Sequence, residues 1–323
     1  MANDLDTFAQ RYLIQWDKRA TVRTMPRYRL SADAASHDFF PAALQPLAKH
    51  EAIIAQGKDA RHELLVRSAY GWQEAIATIE VDVVTDLCGK LANQGIGVPL
   101  PDAARQVALT IGTDEVYHAY AAREFIADIH RHTGIRPEEP GQSESSVQKA
   151  LAYVQREAPA ELRRQAETMV LCFAEHFVTE GLFGMSKDTA SDNPFHITIR
   201  EHLIDEGRHQ NFFQHLMRHM WAQIDEEARA ALGRLMPGFL DIFLLDMDLH
   251  TDQQVRLLGF LGFGREDSRR IIAEAFTMVT GEKPASKDKV LHAQHCLSLL
   301  KIAGVLDHPP TRDVLIESGW IKP

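Results

Sequence analysis

At 323 residues, 45% of them hydrophobic, the chain has enough apolar material for a sizeable core, and its net charge of −10 from 35 basic and 45 acidic residues argues against nucleic acid or an anionic membrane as partner. Cys88, Cys172 and Cys296 show no C-x-x-C spacing and suit a reducing compartment rather than a disulfide framework. The polar start from Met1 to Asp6 lacks a signal-peptide core and no apolar run approaches the ~18 residues of a membrane span, so the expectation is a soluble cytoplasmic protein.

Residues 1–58 read as a short helix near Asp4–Arg19 followed by irregular chain, because Pro26, Pro41 and Pro46 interrupt longer periodicity. Phe39-Phe40-Pro41 and the stretch from Leu44 to Leu47 are expected to pack across the rest as an arm. From Lys58 to Asn93 one helical stripe contains Val66, Ala69, Gln73, Ile76, Ala77, Val83, Val84 and Leu87, with Glu80 in its middle. Burying that carboxylate as an unpaired ion is costly, so it must be protonated, paired or bound to a metal. Asp102 is expected to cap a helix running to about His132, whose inward face holds Ala104, Ala108, Ile111, Gly112, Glu115, His118, Ala119, Ala122 and Phe125.

Thr133 to Ser145 is a Gly/Pro/Glu-rich connection. A helix starting near Ser146 breaks at Pro159, expected as the first residue of a new helix reaching about Met185. Glu175 and Glu180 both lie among its apolar residues, and periodicity does not choose between them. Asn193 and Pro194 open a helix to about Trp221 with Phe195, Ile199, His202, Glu206, His209, Phe213, Leu216 and Met220 on one face. Further helices are expected at roughly Asp225–Asp248, Asp252–Phe263, Arg265–Val279, Ser286–Ala303 and Thr311–Ser318. His292 and His295 read as a solvated or satisfied pair, and Arg163-Arg164 and Arg269-Arg270 as solvated helix faces.

Two of these helices carry Asp-Glu-x-x-His: Asp114-Glu115-x-x-His118 and Asp205-Glu206-x-x-His209. Chance supplies about 0.08 such motifs in a chain of this composition, so two are unexpected. Glu and His three apart share a helix face and can grip one metal ion, and His202, four before Glu206, projects from that same face. The donor order along the chain is Glu, Glu-x-x-His, Glu, Glu-x-x-His. That is the repeat of two helical hairpins around a dinuclear site. The expected fold is therefore all-α, a ferritin-like four-helix bundle with a dinuclear metal centre over about 58–222, preceded by the N-terminal arm and followed by C-terminal helices over about 223–323, in one domain.

On Glu80, Asp114-Glu115-x-x-His118, Glu175 and His202-x-x-x-Glu206-x-x-His209, which cover roughly residues 60–215, the chain resembles the p-aminobenzoate N-oxygenase (AurF-type) family of ferritin-like diiron proteins. The resemblance favours Glu175 over Glu180. It implies two iron ions held by Glu80, Glu115, His118, Glu175, His202, Glu206 and His209, with His202 as the histidine that ordinary ferritins and desaturases lack. Manganese is compatible with the same donor types. It further implies O2 and an external electron donor, oxidation of an amine to hydroxylamine, nitroso or nitro in secondary-metabolite biosynthesis, and a homodimer. The amine is expected on an aryl ring or on an amino acid, free or attached to a carrier protein. Asp114 and Asp205 are expected to orient a ligand imidazole through its other N–H, with Arg208 paired to one of them. Cys172 reads as a small core residue, and Trp72, Gly181 and Gly184 fall where a substrate-pocket wall is expected.

Three other readings compete. Another diiron oxidase, such as a hydroxylase, a desaturase or a radical-generating reductase subunit, would use the same donors, with Tyr117 and Tyr120 as the nearby tyrosines. A ferroxidase or iron-binding protein would not need so long a C-terminal extension. A helical interaction module would require seven inward-facing donors to be accidental.

Overall fold

The computed structural model describes residues 4–31, 38–139, 144–186, 193–280, 287, 290 and 293–323, with the side chains of residues 180, 184, 247–250 and 276–280 outside that description. Among the described residues every regular element is helical. Helix α1 spans Asp4–Arg19, α2 Thr21–Thr24 and α3 Glu51–Gln56, with two 3-10 turns, Ala42–Leu44 and Pro46–Lys49, where the sequence suggests only irregular chain. The long stripe after Lys58 is α4 (Lys58–Ile79) continued by α5 (Asp86–Gln94), but the two are joined by a π-helical segment, Glu80–Thr85, that the heptad-like pattern does not reveal.

Helix α6 (Asp102–Thr133) begins with Asp102 already inside the helix; Pro101 is the N-cap and no side chain caps it, so the expected Asp102 cap is corrected. Gly134, in the left-handed region at φ 71°, closes α6 by returning its N–H to His130 O. After α7 (Ser146–Glu157), Pro159 does not start the next helix as expected: with ψ 141° it is extended and precedes a 3-10 turn, Ala160–Leu162, that leads into α8 (Arg163–Ser186). Asn193 caps α9 (Pro194–Gln223) by accepting the N–H of Phe195, as the sequence suggests. The remaining helices are α10 (Glu226–Leu245), α11 (Met247–Phe260), α12 (Arg265–Thr280), α13 (Ala293–Ile302) and α14 (Pro309–Glu317). Two expected boundaries shift: α11 starts at Met247 rather than near Asp252, and α13 starts at Ala293, while Ser286 and His292 lie outside the described residues.

Helices α8 and α9 pack along each other, α4 and α5 pack along α6, α1 lies across α6 and α9, and α13 rests on α8. The buried apolar side chains form two main clusters, and each of the four long helices changes from one to the other at the same level. On α4 the change comes between Ile76 and Val83, on α6 between Ile111 and Phe125, on α8 between Ala174 and Leu182, and on α9 between Ile199 and Phe212. Glu80, Glu115, His118, Glu175, His202, Glu206 and His209 all fall inside these four gaps, so one polar layer divides the core.

Candidate metal centre

Every one of the seven predicted donors is buried, none more than 8% exposed. They form two groups of four whose donor atoms lie within 4.8 Å of one another: Glu80, Glu115, His118 and His202, and Glu115, Glu175, Glu206 and His209. Glu115 is common to both. Its Oε2 faces His118 Nδ1 at 3.2 Å while its Oε1 faces His209 Nδ1 at 2.7 Å. Glu206 Oε1 is also central, 3.1 Å from His202 Nε2, 3.2 Å from His209 Nδ1 and 3.6 Å from His118 Nδ1. Glu80 Oε1 lies 2.9 Å from His202 Nε2, and Glu175 Oε2 lies 3.8 Å from His209 Nδ1. The side chain of Glu180 is outside the described residues, whereas Glu175 stands in the cluster.

The two motif histidines turn Nδ1 inward because their other nitrogens are held. His118 donates Nε2–H to Asp205 Oδ2 at 3.0 Å and His209 donates Nε2–H to Asp114 Oδ2 at 3.1 Å. Both aspartates are fully buried and both are held in turn by the first helical segments. Trp16 Nε1–H reaches both oxygens of Asp114 at 2.9 Å, and Thr21 offers its N–H and its hydroxyl to Asp205. Arg208 pairs with Asp205 and lies 3.9 Å from Asp114. Asp114, Asp205 and Arg208 thus stand directly behind the two imidazoles, whereas nothing in the motif points to Trp16 or Thr21. The only trace of Trp16 in the sequence is its place on the buried stripe after Leu5, Ala9 and Tyr12, which foretells burial without naming a partner.

The electrostatics require positive charge at this layer. Burial pushes Glu80 up to about 7, with His202 acting against it, and burial together with Glu115 and Glu206 raises Glu175 well above the usual carboxylate range. Burial also works to raise Glu206, but His209 and His202 outweigh it and hold Glu206 well below its ordinary value. For His202, burial disfavours the charged ring, yet Glu80 and Glu206 carry it up to about 9. A cluster of four carboxyls and three imidazoles thus holds protons where divalent cations can replace them. The hydrogen bonding agrees: Oε2 of Glu80 and Oε2 of Glu175 are buried without any hydrogen-bond partner, while Oε1 of Glu80, Oε1 of Glu115 and Nδ1 of His209 are in close contact with other donors of the cluster but not aligned for hydrogen bonds. Orphaned acceptors in a dry layer are costly unless a ligand satisfies them, and oxygen and imidazole donors without thiolate suit iron or manganese.

A cavity of about 40 Å³ reaches His118 and His202 from beneath the segment Thr21–Tyr28, with Gln73, Tyr117 and Glu201 among its walls. That segment is strapped down by Arg27, which pairs with Glu124 at 2.7 Å and Asp128 at 2.9 Å, by Tyr117 OH donating to Met25 O at 2.9 Å, and by Tyr28 N–H donating to Glu201 at 3.2 Å. Trp72 and Gly181 are not among the residues that line this cavity, Trp72 packs edge-on to Phe195, and Gly184 lies where side-chain surroundings are outside the described residues. Tyr117 is committed to the strap and Tyr120 is 51% exposed, so neither stands in the cluster. Cys172 is fully buried and outside both donor groups.

No helix among the described residues is long and apolar enough to cross a membrane. A relative, 4-aminobenzoate N-oxygenase of Streptomyces thioluteus, is 25% identical over 235 residues, which is 71% of this chain and 68% of the relative. The model of the family described as P-aminobenzoate N-oxygenase AurF matches residues 2–280. That match takes in the strap and all four donor helices, and the chain belongs to the p-aminobenzoate N-oxygenase AurF family.

Proposed function

We propose that this chain is an O2-dependent amine N-oxygenase working on a dinuclear iron centre, with residues 1–323 acting as one ferritin-like oxygenase domain. Glu80, His118 and His202 would hold one ion and Glu175 and His209 the other, with Glu115 common to both donor groups and Glu206 Oε1 close to the imidazoles of both. The observation that carries this reading is the pair of buried four-donor groups sharing Glu115, with Oε2 of Glu80 and Oε2 of Glu175 left without hydrogen-bond partners. Two irons bound there supply the redox chemistry for activating O2; manganese fits the same donors and is distinguished by metal analysis.

The chain's own residues position and enclose. Asp205 and Asp114 fix the ring orientation of His118 and His209, so that Nδ1 rather than Nε2 faces the centre. The Thr21–Tyr28 strap closes the mouth above His118 and His202 and excludes bulk water from the place where the amine nitrogen must sit. Two imidazoles in one group against one in the other make the centre unsymmetrical, and the amine is read as approaching the histidine-rich side, where the cavity opens. The name of the Streptomyces relative supports an aryl amine as substrate. An amino group on a free or carrier-bound amino acid is the second class.

The test is metal analysis of the purified protein followed by turnover of an amine panel under 18O2. The reading expects about two irons per chain and 18O bound to nitrogen in the product. One metal or none, or 18O found on carbon, overturns it.

A further inference from the structure

An oxygenase centre of this kind must be reduced, and among the described residues a half-buried aromatic ring is joined by hydrogen bonds to an imidazole of the donor cluster. We propose that electrons enter through Trp16 and pass by way of Asp114 and His209, delivered by a small acidic one-electron carrier protein that docks on the basic end of α1. The proposal rests on the metal-centre reading above.

The indole N–H of Trp16 donates to both oxygens of Asp114 at 2.9 Å, and Asp114 Oδ2 accepts Nε2–H of His209 at 3.1 Å. Nδ1 of that same ring faces Glu115 at 2.7 Å inside the donor cluster. Asp114 and His209 are 0% exposed, so the inner part of the route is dry, while Trp16 is only half-buried. The related half of the site has the same aspartate and imidazole, Asp205 and His118, but that aspartate is held by Thr21 and by the guanidinium of Arg208, neither of them an aromatic ring. The near-twofold arrangement is therefore broken at one position, and the broken position holds an aromatic ring.

The guanidinium of Arg23 sits over the Trp16 ring at 5.1 Å from its centroid. A cation there disfavours a positively charged indole, so the ring serves as a bridge rather than a stored hole. Lys18, Arg19 and Arg23 are exposed around it, against Asp17, whose pair with Arg23 is long at 3.6 Å and solvated. On a chain of net charge −10 this is a local reversal of sign, suited to steering an acidic partner. The step balances simply: two reduced carriers each give up one electron, two ferric ions become ferrous, and no bond in the relay is made or broken.

The test uses iron-loaded full-length protein, oxidised and anaerobic, mixed in a stopped-flow instrument with reduced plant-type ferredoxin while the loss of ferric absorption is followed; dithionite is the reference reductant. Trp16→Phe, compared with wild type on protein matched for iron content, is expected to slow ferredoxin-driven reduction at least about tenfold more than it slows reduction by dithionite. Thr21→Val, which weakens support of the related aspartate, is expected to reduce at the wild-type rate. Arg19→Glu with Arg23→Glu should lower the second-order rate and flatten its salt dependence. A wild-type rate in Trp16→Phe, or equal slowing by Thr21→Val, overturns the relay. Should Trp16→Phe fail to hold iron, the arginine variants decide, and a rate indifferent to them and to salt is equally fatal. Wild-type protein that binds no iron defeats the metal reading itself, which iron analysis registers separately.

Discussion

Asp205 belongs to one Asp-Glu-x-x-His motif but accepts its hydrogen bond from His118 of the other, at 3.0 Å, and Asp114 does the reciprocal for His209 at 3.1 Å. Each motif therefore places a Glu/His pair in the buried cluster and lends its aspartate to the imidazole of its counterpart. The exchange ties α6 to α9 directly behind the donors. It explains why an aspartate precedes the glutamate in both motifs: that position lies about 100° round the helix from the glutamate and faces the neighbouring helix.

Asp205→Asn keeps the size of the side chain but removes the charge that His118, Thr21 and Arg208 all engage. Metal affinity is expected to fall about 10–100-fold, read by competition with a chelator of known affinity. Unchanged affinity means that the carboxylate does not act through the imidazole.

Glu175 and Glu180 are separated by one pair of substitutions. Glu175→Gln should lose one of two irons, because Glu175 belongs to a single donor group; it should also raise the Tm of the metal-free protein, since burial and the charges of Glu115 and Glu206 already penalise the carboxylate form. Glu180→Gln should retain both irons. The opposite pattern moves the third-helix ligand to Glu180.

His202→Ala removes the nitrogen that lies 2.9 Å from Glu80 and 3.1 Å from Glu206. Helical content by circular dichroism and at least part of the iron should survive, with N-oxygenation lost. Full activity with full iron removes the reason for treating this histidine as part of the centre.

The clustering of these carboxylates and imidazoles is legible because its pattern is local. Glu and His three apart share a face in any helix, and an inward stripe such as Phe195, Ile199, His202, Glu206 and His209 predicts its own burial. The π-helical turn at Glu80 was not legible, since one extra residue in a turn leaves the apolar pattern on either side intact. Pro159 was misplaced because its fixed φ suits both a first helical turn and the extended residue before one, and the sequence does not give ψ. Trp16 and Thr21 meet their aspartates across 98 and 184 positions, contacts set by how α1 crosses α6 and α9, which no spacing rule encodes.

Arg27 fastens the strap to α6 through Glu124 and Asp128, over the cavity that reaches His118 and His202. Arg27→Ala is expected to leave iron content unchanged and to increase O2 consumed per product formed, because a loose strap no longer excludes water. Product yield per O2, measured with an oxygen electrode and chromatography, checks this; wild-type coupling shows that the strap plays no part in closure.

The metal-free protein should lose stability as pH rises, while the gain from metal grows. Glu80 is raised from 4.5 to about 7 in the folded chain and His202 from 6.5 to about 9. A group whose pKa is raised by folding binds more protons folded than unfolded, so its contribution is complete below the unfolded value and disappears as pH passes the folded one. For these two groups the window runs from about pH 4.5 to about pH 9. Glu206 works in the opposite sense, its contribution being lost as pH falls below its ordinary value, so the metal-free optimum lies near the acidic end of that window. Metal binding needs the same carboxylates and rings deprotonated, and its affinity therefore rises over the range in which the protonated cluster fails. Thermal melts of metal-free and iron-loaded protein, the latter kept anaerobic, at half-unit intervals from pH 5 to pH 9 should show a falling metal-free Tm and a widening gap. A gap that narrows with pH means that the cluster does not exchange protons for metal.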